Sequence, residues 1–133
     1  MKAVFADTSF FLASLNPSDA LHDRAIALSR EVTAPRLTTA FVLLEVANAM
    51  RRAALRSQFV EFYTRLKEHS RARIIPVSQK LFDQGYELYA SRKDKDWSLT
   101  DCISFVVMSD ADLSQAFTHD RHFEQAGFTA LLK

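Results

Sequence analysis

Apolar positions fall in short bursts separated by segments of helix length. Ala3 to Asp7 is a brief apolar run ending in an acid, followed by the capping types Thr8 and Ser9 and then Phe10 to Leu15; this predicts strand, turn and short helix. Asn16-Pro17-Ser18-Asp19 interrupts that helix and opens another from Ala20 to about Val32, where Leu21, Ala25, Leu28 and Val32 recur at helical spacing before Pro35 stops it. Leu37 to Thr39 predicts a second strand. Ala40 to Leu55 predicts a helix apolar on nearly every side, through Phe41, Val42, Leu43, Leu44, Val46 and Ala47, and therefore a buried one.

Ser57 to His69 is amphipathic, Arg73 to Val77 predicts a third strand with Pro76 near its end, and Ser78 opens a helix through about Ser91. Arg92 to Asp96 is a polar loop, Leu99 to Met108 an apolar helix, Ala116 to Thr118 a fourth strand and Thr129 to Leu132 a fifth. Strands alternating with helix-length segments imply right-handed crossovers, hence an α/β fold with a mostly parallel sheet covered on both faces. Sites in such sheets lie beyond the carboxyl ends of the strands.

At 133 residues, 48% of them hydrophobic, the chain is sized for one domain spanning 1–133 with a real core. Two glycines, three prolines and no repeat argue against disorder, solenoids and a phosphate-cradling glycine loop. The single Cys102, inside an apolar run, excludes an intrachain disulfide and a thiolate zinc cluster, and fits a reducing cytoplasm. Asp7 interrupts any would-be signal segment, and no apolar run approaches membrane-spanning length.

Four of the 16 acidic residues stand in apolar company: Asp7 after Val-Phe-Ala, Glu45 within Leu-Leu-Glu-Val-Ala, Asp101 before Cys-Ile-Ser-Phe, and Asp120 after a predicted strand. An ionised carboxylate in such surroundings costs several kcal/mol unless a cation, donors or a metal compensates it. The coarse fold puts all four near one rim of the sheet, where clustered carboxylates repel. A hard divalent cation, Mg²⁺ or Mn²⁺, resolves that repulsion with oxygen ligands. Each acid also has a plainer role. Ser98-Leu-Thr-Asp101 matches a capping box, Asp7 can cap the helix that follows it, Asp120 can belong to an ordinary turn, and Glu45 can pair with a distant arginine.

Setting the four acids aside leaves 17 basic against 12 acidic residues, a balance that welcomes a polyanion. Arg51, Arg52 and Arg56 are expected to end the Glu45 helix, and Arg92, Lys93 and Lys95 precede Trp97; both groups are candidate phosphate contacts, or else answer a helix dipole and solvent. Trp97 can stack a base or pack. His119 and His122, three apart, read better as turn residues than as zinc ligands. A receiver-type phosphoacceptor is disfavoured because Ile75-Pro-Val77 carries no acid.

Asp7-Thr-Ser after the first strand, helical Glu45 with Asn48 three residues on, Trp97-Ser-Leu-Thr-Asp-Cys-Ile-Ser104 and Thr118-His-Asp120-Arg-His-Phe123 resemble, in order and spacing, the PIN-domain ribonucleases. The chain is most similar to the short VapC-type toxins of bacterial toxin–antitoxin pairs. The resemblance implies a three-layer fold with a four- or five-stranded sheet, a site of Asp7, Glu45, Asp101 and Asp120 holding one or two Mg²⁺ or Mn²⁺ ions, and RNA hydrolysis leaving a 5′ phosphate. Asp96 is a further acid in the loop before the third motif. Thr8, Ser9, Thr100 and Ser104 are placed to orient carboxylates, or to cap helices. It also implies a VapB-like antitoxin inserted at the acidic pocket and a homodimer. The alternatives are a stand-alone RNA-processing nuclease and a non-catalytic binding module of the same fold.

Overall fold

The computed structural model describes residues 2–133. Five strands, β1 (Val4–Ala6), β2 (Arg36–Thr39), β3 (Ala72–Ile75), β4 (Gln115–Phe117) and β5 (Thr129–Ala130), alternate with seven helices: α1 (Thr8–Leu15), α2 (His22–Glu31), α3 (Ala40–Ala49), α4 (Ala53–Glu68), α5 (Gln79–Ser91), α6 (Leu99–Asp110) and α7 (Arg121–Gln125). All pairings are parallel and the sheet order is β3-β2-β1-β4-β5. From β1 the chain steps outward to β2 and β3, then crosses to β4 and β5 on the other side. The crevice between the carboxyl ends of β1 and β4 is therefore the topological switch point of the sheet.

The central strand is wholly buried, as expected for a strand covered on both faces. Around it Phe5, Phe10, Phe105, Phe117 and Phe123 form an aromatic core, with Phe10 stacked on Phe117 at 4.6 Å and Phe105 edge-on to Phe123 at 4.9 Å. α5 lies tightly along α6 at Gly85, where an added Cβ would overlap the Ile103 side chain and stand 3.1 Å from its backbone. That contact fixes α6, and with it Asp101.

Two expectations about the helices are corrected. The helix expected over Ala40 to Leu55 ends at Ala49, and α4 begins at Ala53. No glycine or proline marks the break. It is held by side chains, because the Arg51 guanidinium donates to the Asn48 carbonyl at 2.9 Å and Arg56 Nε donates to the Arg51 carbonyl at 2.7 Å, occupying acceptors that a continuing helix would have used. Nor is α3 buried all round: Val42, Leu43 and Val46 face the core, while Leu44 is 58% exposed. One helix was not expected. α7 is a turn and a half anchored by the fully buried Phe123 and ended by Gly127 at φ 96°, a left-handed closure that glycine adopts without strain.

Candidate active site

Three acids meet at the switch point because three different elements begin or end there. Asp7 follows β1 directly. It occupies the N-cap position of α1, yet its carboxylate makes no cap bond. Instead Oδ2 accepts from Thr118 Oγ1 at 2.9 Å and from Ser9 Oγ at 3.3 Å. Thr118 in turn accepts the Asp120 amide at 3.0 Å, and Ser9 Oγ accepts the His119 amide at 3.1 Å. These bonds tie the ends of β1 and β4 together around one buried carboxylate.

Asp101 is the third residue of α6 and completes a capping box with Ser98. The cap uses one oxygen: Oδ2 accepts the Ser98 amide at 3.1 Å, and among the described residues Oδ1 has no donor. Asp120 caps α7 in the same economical way, Oδ1 accepting the His122 amide at 2.9 Å. The capping roles are thus real for Asp101 and Asp120, and each leaves an oxygen free for other work.

His122 joins them. Its Nδ1 lies 3.0 Å from Asp120 Oδ1 and 3.4 Å from Asp101 Oδ2, buried and without hydrogen-bond geometry to either. One ligand atom each from Asp101, Asp120 and His122 falls within a 4.8 Å cluster. His122 was read from the sequence as a turn residue; the usable signal was its place two residues after Asp120, which a helix cap turns back toward the acid.

Glu45 stands at one remove. It is half-buried on α3, and Oε1 accepts from Thr8 Oγ1 at 2.6 Å, so Thr8 links it to the residue beside Asp7. Asp96 is exposed in the loop before α6 and does not join the cluster. Thr100 is half-buried and makes no side-chain hydrogen bond among the described residues, whereas Ser104 Oγ is fully buried and unpartnered. Trp97 packs: it is 6% exposed, edge-on to Phe105 at 5.0 Å, and its Nε1 donates to Gln125 Oε1 at 3.1 Å.

The basic candidates are dispersed. Arg51 and Arg52 sit exposed just past the end of the Glu45 helix, and Arg56 is exposed in the first turn of α4 rather than at the end of α3. Lys93 is exposed, and Lys95 pairs weakly with Asp94 at 3.9 Å.

Electrostatically the centre is uncompensated. Burial pushes the Asp7 carboxyl from 3.8 up to about 6; Thr118 and the Thr8 amide pull it down, and the charges of Asp101 and Asp120 push it further up. Burial also raises Asp101, opposed by the Ser98 amide and reinforced by Asp120. Among the described residues no Lys or Arg lies within ion-pair distance of Asp7, Glu45, Asp101 or Asp120. Carboxylate oxygens with one imidazole, partly desolvated and with no Lys or Arg partner among the described residues, suit a hard or borderline divalent metal.

Residues 4–129 match the profile of the PIN domain. A relative from Mycobacterium tuberculosis, the 23S rRNA-specific endonuclease VapC20, is 30% identical over 126 residues, covering 94% of this chain and 95% of the relative, in both strains CDC 1551 and H37Rv. The chain belongs to the PIN-domain family. As a PIN domain it superposes on the crystal structure of M. tuberculosis VapC20, a sarcin–ricin loop cleaving toxin, with a TM-score of 0.89 and 27% identity, covering 98% of this chain and 100% of that one. The crystal structure of FitAcB from Neisseria gonorrhoeae shares the fold at a TM-score of 0.65 and 16% identity over 98% and 96% of the two chains. The five-stranded parallel sheet with its flanking helices is the PIN architecture.

Proposed function

We propose that this chain, acting as one PIN domain over its 133 residues, is a metal-dependent endoribonuclease and the toxin of a toxin–antitoxin pair. The observation that carries the reading is Asp7, buried and pushed up to about 6, with Asp101 and Asp120 beside it and no Lys or Arg within ion-pair distance. A divalent cation bound there would offset the cost that burial imposes on these carboxylates.

Asp7, Asp101 and Asp120 would hold Mg²⁺ or Mn²⁺, one ion or two, with Glu45 completing the set from α3 and His122 in contact with two of the acids. A cation bound there supplies Lewis acidity toward water and the phosphate charge. The chain's own residues do the positioning. Thr118 and Ser9 hold Asp7, the Ser98 amide fixes one oxygen of Asp101, the His122 amide fixes one oxygen of Asp120, and Thr8 fixes Glu45. Water would attack the phosphorus in line and give its proton to Asp7 or Asp120 while the P–O3′ bond breaks, the 3′ oxygen leaving and taking a proton from solvent, so that a 5′ phosphate and a 3′ hydroxyl result; no side-chain nucleophile takes part.

The relative's action on 23S rRNA supports a structured RNA substrate, and the description of its solved structure as a toxin supports an antitoxin partner at the acidic pocket. Exposed Arg51, Arg52, Arg56 and Lys93, with Lys95, are candidate phosphate contacts. Action on ribosomal RNA together with a single free, buried cysteine favours the cytoplasm, and no helix among the described residues is long and apolar enough to cross a membrane. Self-pairing into a dimer is part of the same proposal.

The test is cleavage of a sarcin–ricin hairpin in EDTA, Mg²⁺ or Mn²⁺, with Asp7→Asn and Asp101→Asn beside the wild type and with Mn²⁺ binding measured by calorimetry. Metal-dependent cleavage and binding, both lost in the variants, are expected. Cleavage that survives EDTA or either substitution would sink the mechanism.

A further inference from the structure

The end of the sheet opposite the carboxylates carries the reverse charge. Two open clefts of about 550 and 410 Å³ adjoin there and share Arg36 and Arg71 as walls. Lys2, Arg36, His69, Arg71 and Arg73 line them, and among the described residues no Asp or Glu does. These side chains come from the start of β1, of β2 and of β3, so the parallel pairing of the strands gathers them at the amino ends.

The site is built rather than incidental. Arg36 is half-buried, its guanidinium donating to Ser29 Oγ at 2.9 Å and to the carbonyls of Ser29 and Val32 at 2.6 and 3.2 Å, with its carbon 4.8 Å above the Phe117 ring. Arg71 is tethered to the Thr33 carbonyl at 3.1 Å, and its backbone amide donates to Nδ1 of the exposed His69 at 3.1 Å. Lys2 pairs with exposed Asp112 at 2.8 Å. Among the described residues Arg36, Arg71 and Arg73 have no carboxylate within ion-pair distance. Guanidinium groups with donors to spare, set at the amino ends of the two neighbouring strands β2 and β3, match the spaced oxyanions of a phosphodiester backbone.

We propose that this face is a second RNA-binding surface, engaging backbone phosphates of a substrate that extends well beyond the segment at the carboxylates. The inference rests on the reading of the chain as an RNA nuclease. The strands are parallel, so the acids at their carboxyl ends and the arginines at their amino ends face opposite sides of the domain; a rigid hairpin seated at the acids does not wrap round to the arginines, while a large folded RNA can contact both sides. Substrate choice is thereby divided: the carboxylate end selects the scissile bond, and the arginine end favours RNA of ribosomal size.

Fluorescence anisotropy in EDTA, where cleavage is suspended, tests this with full-length 23S rRNA and an isolated sarcin–ricin hairpin against the whole chain. The double variant Arg71→Glu/Arg73→Glu should weaken binding of the long RNA by about tenfold or more and lower the slope of log affinity against log salt by about 2, leaving the hairpin unchanged. Arg71→Lys/Arg73→Lys, which keeps the charge, should restore most of the affinity and excludes a folding defect. An unchanged affinity and slope for the long RNA would overturn the proposal, as would an equal loss on the hairpin, which would mark the effect as general charge. If the wild type cleaves the hairpin with metal and the double variant binds long RNA normally, only the second surface fails; if the wild type neither binds nor cleaves either RNA, the nuclease reading fails with it.

Discussion

The two ends of one small sheet treat charge in opposite ways. At the carboxyl end, short side chains hold like charges in a buried crevice: Asp7 and Asp101 are 4% and 8% exposed, and burial is the leading cause of their raised proton affinity. At the amino end, long side chains carry cations outward. Arg71 and Arg73 are exposed, and Arg36, the one drawn inward, has its guanidinium lowered by burial but satisfied by two helix-end carbonyls and a hydroxyl. An aspartate cannot reach solvent from a crevice, so its charge must be met in place; an arginine carries its charge to water on an apolar stem. The first arrangement stores a demand for a cation and the second an offer to an anion.

The comparison is broken most severely at the carboxyl end. Asp101→Asn should abolish RNA cleavage, by at least about a hundredfold in kcat/KM, while leaving the α6 cap largely intact because asparagine still accepts the Ser98 amide; cleavage within a few-fold of wild type would remove Asp101 from the chemistry.

Next comes stability without metal. The folded Asp7 carboxyl titrates near 6 and the unfolded one near 3.8, so the folded state binds the proton more tightly. Its contribution is therefore fully present below pH 3.8 and is lost as pH rises through about 6. The gap corresponds to about 3 kcal/mol at 1.36 kcal/mol per pH unit, and Asp7→Asn, which cannot ionise, should recover part of it. In EDTA at pH 7 the variant should melt above the wild type and show a flatter stability profile between pH 4 and 6. A lower melting temperature at pH 7 would mean that the carboxylate is not strained in the folded chain.

A packing change sharpens the same contrast. Gly85→Ala should destabilise the protein by about 1–3 kcal/mol, because the new methyl overlaps Ile103 on α6 and backbone limits the escape; thermal melts would register it, and cleavage should fall through the displacement of Asp101.

Thr118→Val removes the hydroxyl that donates to Asp7 and accepts the Asp120 amide. Cleavage should drop by about tenfold, and the pH profile of metal-free stability should extend to higher pH, since a bond that lowers the Asp7 carboxyl is lost. The smallest effect belongs to the amino end: Arg71→Gln should change stability by no more than about 0.5 kcal/mol in chemical denaturation, as an exposed cation freed from a single carbonyl bond.

Much of this molecule was legible from the chain. Four or five strands in a mostly parallel sheet follow from apolar bursts spaced by helices, since a parallel sheet needs crossovers of that length, while the order β3-β2-β1-β4-β5 was set by the fold. Ser78 and Ser98 announce α5 and α6 through local capping chemistry that depends on neighbours three residues away, and both caps are present. The positions of Asp7 and Asp120 just beyond strands, and of Asp101 at a helix start, are local facts of the same kind.

What the chain could not disclose was settled by partners distant in sequence. The α3–α4 break carries no glycine or proline and depends on Arg51 and Arg56 taking up carbonyls of the folded backbone. His122 became a neighbour of Asp101 only when α7 docked through Phe123, and Thr118 met Asp7 across 111 residues. Arg36 of the far end lies 35 residues before Arg71 in the sequence and is brought beside it and Arg73 by the register of β2 with β3. Local chemistry specified which elements form and which residues cap them, because those energies act over one turn. The tertiary fold decided which carboxylates share a pocket and which cations share a face, because burial and Coulomb energies depend on distance in space rather than along the chain.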